Sequence, residues 1–478
     1  MVHLGQRWVI SQHPNAALIM KSNSNFRRAV RAAIIAGLSS LSLACAAGKP
    51  PEANWPPVAK KWFDRAQHSY QTGDMDDAEH SIDNALASLP REPQVKLLAA
   101  QIAMTSLEFD RALQLLAGQD SSEAAGLRGR CYWYLGNLDQ AALELTRVTA
   151  DPEIKDGWAK NTLLLARSGR GRKPFEISGG LLAAVEMPKA GNSSMFVPLE
   201  VNGEPALAMV ATDRVETVVD GREPGWVSLR FGGVLEVSDV PVVAQDLSGL
   251  SKEIGVPIKI LLGVHFLRRT RATVDVLGQQ FVVRSYEPPP PPAATTLSPM
   301  FYRGGAMVIG GAFGEELDAP TTALLVNTSM LFPLALDEAG WRKAGQDPNT
   351  FMSVPGQTQF KHGMVPLLRL GAFEIAQIPG VLGAPVSAIE KEVGMDLDGV
   401  AGSGLFSTFR LTFADQGRTL WLEDLPPDIL DARQKAVAGV RAAEPPAVEP
   451  LLPVPGVSAE PDASGAPSAA PKPGSPRP

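Results

Sequence analysis

Leu229-Arg230-Phe231-Gly232-Gly233 recurs 139 positions later as Leu368-Arg369-Leu370-Gly371-Ala372, and this recurrence decides how the second half of the chain is read. Close behind it, Glu236-Val237-x-x-Val240-Pro241 returns as Glu374-Ile375-x-x-Ile378-Pro379. Gly263, Arg271 and Thr273 return as Gly402, Arg410 and Thr412, again 139 positions on. Matches in one order at nearly one offset mark a duplicated unit. Between them, short β-branched runs alternate with glycine and proline: MFVPLEVNG (195–203), LAMVATDRVETVVD (207–220), WVSLRFGG (226–233) and VLEVSDVPVV (234–243). That is strand-and-turn patterning. LLGVHFLRRTRATVDV (261–276) and QFVV (280–283) follow, and then Glu287 and five consecutive prolines, 288–292. A proline run of this kind is an extended, semi-rigid spacer. The pattern predicts two homologous lobes, 175–286 and 298–425, joined by a Pro-rich linker over 287–297.

Upstream the period changes to that of helices. After a lead over 45–57 containing Pro50, Pro51, Pro56 and Pro57, the residues Ala66, Tyr70, Gly73, Ala78, Ile82, Ala85 and Pro90 fall at helix-pair spacings. Small residues at Ala66 and Ala78 let two antiparallel helices approach, Gly73 permits the turn, and Pro90 stops the second helix. A second copy with Ala100, Ala112 and Leu116 begins one period of about 34 residues later. A third has Gly129, Gly136, Ala141, Leu145 and Pro152, and 154–168 reads as a capping helix. These spacings resemble a tetratricopeptide repeat over 58–168. Three units are about the minimum for a stable solenoid. The region is read either as a spacer or folding cap, or as a groove for a peptide. Cys131, beside Tyr132, Trp133 and Tyr134, reads as a small buried apolar residue rather than a reactive thiol.

The ends carry addresses of another kind. Within residues 1–44, the stretch FRRAVRAAIIAGLSSLSLA (26–44) sets Arg27, Arg28 and Arg31 before about 13 mostly apolar residues. That matches a signal-peptide core of ~7–15 residues and is too short to span a membrane. Met20 is an alternative start to Met1. Leu41-Ser42-Leu43-Ala44-Cys45 resembles a bacterial lipobox, which implies cleavage before Cys45 and lipidation of its sulfur, although Ser42 stands where that family has leucine. Ala44-Cys45-Ala46 also allows ordinary cleavage. Both readings export the protein, lipid-anchored in the bacterial envelope (outer membrane, periplasmic face, more than inner) or free in the periplasm. A short helix is expected at 426–443, and the Pro/Ala-rich tail, 444–478, has no apolar period and is expected to be disordered.

Composition narrows the partners. The formal charge is −7, and beyond residue 44 there are 39 basic against 51 acidic side chains. A chain so acidic has no electrostatic reason to hold a phosphate backbone, so no nucleic-acid partner is expected. Two cysteines and six scattered histidines give neither a disulfide framework nor a metal-ligand pattern, and no cofactor is expected.

The order of features within each lobe resembles the bacterial retropepsin-like aspartyl protease, and the pair resembles a two-lobed aspartic protease. A strand ends in a small triplet and leads to a short helix. Next come a φ-R-φ-G-G…φ-P-V hairpin, an apolar-apolar-Gly element and an Arg-x-Thr strand. The expected architecture is thus multidomain α plus β: tetratricopeptide-like helical repeats followed by two all-β pepsin/retropepsin-like lobes. The resemblance implies an Asp-Thr/Ser-Gly loop in each lobe, whose two carboxylates share a proton and activate a water.

This chain departs from that pattern. The family's catalytic positions fall on Ala211 and Asn327, within Ala211-Thr212-Asp213 and Asn327-Thr328-Ser329. Alanine cannot ionise, and an asparagine amide does not accept a proton near neutral pH. Thr212 and Thr328 remain, and the resemblance places this threonine in a hydrogen-bond clamp between the lobes. Asp213 lies two positions from the missing acid and faces no second one. His265 has no evident carboxylate or serine partner in the sequence. Ser403 lacks a nucleophile-elbow context, Gly304, Gly305, Gly310, Gly311 and Gly314 suit hairpin turns, and Asp337 and Glu338 suit a solvated helix start. Three readings follow: a non-catalytic envelope lipoprotein binding peptides or proteins as scaffold or assembly factor, an aspartic-type endopeptidase with an atypical site, and a purely structural protein.

Overall fold

The computed structural model describes residues 55–424, apart from 190–192, 303–304, 317–318 and 355–356. The export signal with Cys45, the helix expected at 426–443 and the tail lie outside the described residues.

Helices come first: α1 (Pro57–Thr72), α2 (Met75–Ser88), α3 (Pro93–Thr105), α4 (Phe109–Leu115), α5 (Ser122–Leu135), α6 (Leu138–Ala150) and α7 (Gly157–Ser168). Their ends are written in the sequence. Asp74, Ser121, Asn137 and Asp156 each cap a helix by accepting the backbone N–H of the residue three positions on. Gly73 ends α1 in the left-handed region, at φ 80°. Ala66, Ala78, Ala85 and Ala141 are fully buried between helices. At Gly129 a Cβ would lie 2.7 Å from Leu145, so this site in α5 has no room for a side chain.

The remainder is mostly β. Its first part contains β1 (Glu176–Gly179), β2 (Leu182–Glu186), β3 (Phe196–Val201), β4 (Glu204–Val210), β5 (Thr217–Asp220), β6 (Gly225–Phe231), β7 (Leu235–Gln245), α8 (Ser248–Ile254), β8 (Ile260–Leu262), α9 (Val264–Arg269), β9 (Thr273–Asp275) and β10 (Gln280–Arg284). Then follow β11 (Ala294–Leu297), β12 (Met300–Tyr302), β13 (Ala306–Phe313), β14 (Thr321–Asn327), β15 (Leu334–Leu336), α10 (Glu338–Lys343), β16 (Met352–Val354), β17 (Gln357–Leu370), β18 (Phe373–Leu382), α11 (Val386–Val393), β19 (Gly399–Gly402), α12 (Ser403–Phe406), β20 (Arg410–Ala414) and β21 (Thr419–Glu423).

Two of the three sheets repeat one pairing scheme. In the first, β3 pairs antiparallel with β4, β4 parallel with β8, β8 antiparallel with β5 and β5 parallel with β7; β7 then pairs antiparallel with β6, which returns to β3. In the second, β13, β14, β19, β15, β18 and β17 make the same six pairings in the same senses. Gly232 and Gly371, matched in the sequence, turn at φ 56° and 57°, a region glycine enters without a Cβ penalty. The third sheet runs β11-β21-β20-β9-β10-β2 and takes strands from both halves. At its centre β9 and β20 run antiparallel with Thr273 opposite Thr412, and their hydroxyls lie 2.8 Å apart. Two residues related by the 139-residue repeat thus face each other across a local twofold.

Several expectations need correction. The linker expected over 287–297 ends earlier, because Ala294–Leu297 forms β11 along the open edge of β21. The run 261–276 is not all strand: Val264–Arg269 is the helix α9, and a stretch of six residues is too short to separate the two periods. The short helix expected after each triplet forms only in the second half, where Asp337 caps α10 by accepting from the Gly340 N–H at 2.7 Å. In the first half Val215, Thr217 and Val218 favour extension, and the chain runs into β5. Gly310 and Gly311 lie inside β13, not in turns; a Cβ at Gly311 would meet the Arg369 carbonyl at 2.8 Å, where β17 crosses closely.

Helices and sheets share cores. Ala66, Tyr70, Ile82 and Leu98 pack in one cluster with Tyr302, Leu325, Val393 and Met395. Phe109, Trp133 and Tyr134 pack in another with Val215 and Trp226. Tyr302 donates to the Tyr70 carbonyl at 2.8 Å, and the Trp226 indole donates to the Ser168 hydroxyl at 3.2 Å. The helical layer is therefore packed on the β half and not held away from it by a spacer.

Candidate functional site

The loops that follow β4 and β14 abut. The Thr212 N–H donates to Thr328 Oγ1 and the Thr328 N–H donates to Thr212 Oγ1, both at 3.0 Å. Thr212 Oγ1 donates to the Val326 carbonyl at 3.0 Å, and Thr328 Oγ1 donates to the Val210 carbonyl at 2.9 Å. The pattern is reciprocal, so it has twofold symmetry. Both side chains are buried. Every polar group in the knot has a partner, which is what a buried hydroxyl requires to be stable. Beneath it lies a void of about 10 Å³ lined by Val210, Val326, Val274 and Phe413, space for no more than a single water.

The chemical groups around the knot are few. Ala211 is fully buried in an apolar cluster with Phe196, Met209 and Leu261. The Asn327 Oδ1 accepts from the Ser329 N–H at 2.9 Å and the Met330 N–H at 3.2 Å, so this side chain holds its own turn. Asp213 accepts from the Ser329 hydroxyl at 2.5 Å, and its other oxygen lies 3.4 Å from Arg214 Nε. Among the described residues no second carboxylate hydrogen-bonds to Asp213. The third residues of the two triplets are thus joined to each other, as the second residues are.

Just beyond, the first loop carries Glu216, which sequence reasoning passed over. It is buried, and Oε1 accepts from Trp133 Nε1 and Trp158 Nε1, both at 3.2 Å, and from the Tyr134 hydroxyl at 3.4 Å. Those donors come from α5 and α7, so one carboxylate pins the helical layer to the β half. His265, expected to lack a carboxylate partner, lies near one: Nδ1 is 3.7 Å from Glu216 Oε2, beyond hydrogen-bond distance. Burial alone would raise the Glu216 carboxyl; His265 and the two indoles outweigh it and hold the carboxyl below its ordinary value. Burial, followed by Arg268, pushes His265 down to about 4, so the imidazole is neutral at pH 7. The signal in the sequence was an acid inside the run Val215-Glu216-Thr217-Val218, since acids are rarely buried unless paired.

Between the helical layer and this loop lies a cavity of about 210 Å³, lined among others by Phe109, Arg130, Tyr134, Trp158, Val215 and Arg268. The other singled-out residues do structural work. Cys131 is buried, and burial pushes its thiol up to about 12. The Ser403 hydroxyl donates to the Met330 carbonyl at 3.0 Å. Among the described residues no three His, Cys, Asp or Glu side chains converge as a metal site, and no helix is long and apolar enough to cross a membrane.

No family model and no curated protein matches the chain. Solved structures similar to parts of it include the first tetratricopeptide domain of Spaghetti bound to an HSP90 peptide, at 18% identity, with 22% of this chain and 88% of that one covered and a TM-score of 0.19. A retropepsin-like aspartic protease from Rickettsia conorii matches at 18% identity over 27% of this chain and 89% of its own, with a TM-score of 0.19. An aspartic proteinase from Irpex lacteus matches at 11% identity over 51% of this chain and 97% of its own, with a TM-score of 0.33.

Proposed function

We propose that this chain is a non-cutting binding protein whose β half is a duplicated retropepsin-like framework with both catalytic acids replaced. The observation that carries the reading is the threonine knot. The residues that join the two halves are kept in both copies, while Ala211 and Asn327 stand where the family has aspartates. Without a carboxylate pair there is no shared proton and no base for a water. What such a framework retains is strand edges and an inter-lobe cleft, which can hold an extended segment by main-chain hydrogen bonds. In this reading the helical repeats contribute a second recognition surface, and the lipid on Cys45 places both at the envelope, as a scaffold or assembly factor for a protein or peptide partner.

Capture from envelope extract tests it. The expected result is a stoichiometric partner recovered intact with the full-length chain from the membrane fraction, and loss of that fractionation in Cys45→Ser. A partner recovered only as fragments overturns the reading, and recovery of none favours a purely structural role. The second reading, an atypical peptidase, rests on the Asp213–Ser329 pair, a carboxylate held at the midline by a hydroxyl of the opposite half.

A further inference from the structure

We propose that the cavity of about 210 Å³ between the helical layer and the β half binds a small, mostly apolar carboxylate, with its acid group on Arg268 and Arg130. The proposal does not rest on how the midline is read. Arg268 is 5% exposed, and the hydrogen bond it makes is Nη1 to the Gln416 carbonyl at 3.3 Å. No carboxylate lies within ion-pair distance of it among the described residues, although a guanidinium offers five donors. Glu216 acts on Arg268 electrostatically, but it makes no ion pair with it, and its Oε1 is taken up by the two indoles and the phenol. Arg130 pairs through Nη2 with Asp156 at 3.0 Å and lies 3.9 Å over the Trp158 ring. Its Nη1 is buried with no hydrogen-bond partner. A buried cation and a half-buried one, each with a donor to spare, thus border one space, and an anion is the group that satisfies them.

The walls set the rest of the ligand. Arg268 lies 5.6 Å over the Phe109 ring and 5.5 Å over Tyr134, so its apolar surroundings are aromatic. Leu107 is held at φ 59°, a costly conformation for a branched side chain, and lines the same cavity. The volume far exceeds the ~10–15 Å³ needed by one water and is below the ~300–1,000 Å³ of drug-sized pockets. It fits a single ring with a short acidic tail. Exposed Glu123 and Lys391 on its lining give it a route to solvent.

Calorimetric titration of the purified full-length chain with 3-phenylpropionate and with 3-phenylpropanamide tests this. The acid is expected to bind at least tenfold more tightly than the amide. Arg268→Gln is expected to weaken the acid at least tenfold and leave the amide unchanged. Leu127→Trp, which fills the cavity from α5, is expected to abolish binding of both while the melting temperature holds. Equal binding of acid and amide, an unchanged acid affinity in Arg268→Gln, or no binding to the unaltered protein overturns the proposal, the last because the cavity would hold only water. Should Arg268→Gln fail to fold, the acid-to-amide ratio and Leu127→Trp decide the matter alone.

Discussion

Thr212 and Thr328 each bridge two backbone groups of the opposite half, so Thr212→Val would leave the Thr328 N–H and the Val326 carbonyl buried and unpaired. At ~1–3 kcal/mol for each stranded group, a loss of about 2–4 kcal/mol is expected from denaturant titration, nearly matched by Thr328→Val. The double variant should cost less than the sum, because both remove one knot. His265 gives a pH signature. Its folded-state value of about 4 lies below the ordinary 6.5, so the unfolded chain takes up the proton first as pH falls. The neutral ring therefore contributes stability above pH 6.5 that is lost progressively toward pH 4. His265→Gln is expected to flatten the fall in melting temperature across that window; an unchanged slope contradicts the assignment. At this scale the meeting of Thr212 and Thr328 was legible, since the duplicated pattern set them at matching positions. Glu216 was not, because its donors lie 58 to 83 residues away in a different layer.

At the scale of elements, the two halves should respond alike to matched changes. Gly263 and Gly402 precede α9 and α12, and a Cβ there would lie 2.4 Å from the Glu216 carbonyl and 2.0 Å from the Phe332 carbonyl. Alanine at either is expected to cost about 2–3 kcal/mol. Gly249, in α8 with open space around it, is the control: Gly249→Ala is expected to stabilise by up to ~1 kcal/mol through helix propensity. Thermal melts of the three variants check this, and a mild Gly402→Ala beside a severe Gly263→Ala would speak against equivalent roles. Repeat spacings revealed the helix pairs because small residues, turn glycines and caps are local signals. Hidden from the sequence were α9 and β11. The first is too short for its period to show, and the second exists because β21 offers it an edge.

For the molecule as a whole, shared cores predict that helical and β parts unfold together. Calorimetry is expected to give one transition, and two well-separated ones contradict the packed arrangement. Glu216→Ala strands two indole N–H groups and a hydroxyl, and is expected to cost ~3 kcal/mol or more and to make the helical layer exchange its amides first. The order of layers, helices and then strands, was legible from the change of hydrophobic period. How the layers dock was not, since that depends on a few aromatic and charged residues without a shared pattern. The central claim is that a peptide-cutting framework persists here without its two acids. Its most direct test is incubation of the purified chain with a peptide library between pH 3 and 7, read by mass spectrometry with and without pepstatin. The account predicts no pepstatin-sensitive cleavage at any pH; cleavage that pepstatin blocks and Asp213→Asn abolishes would contradict it.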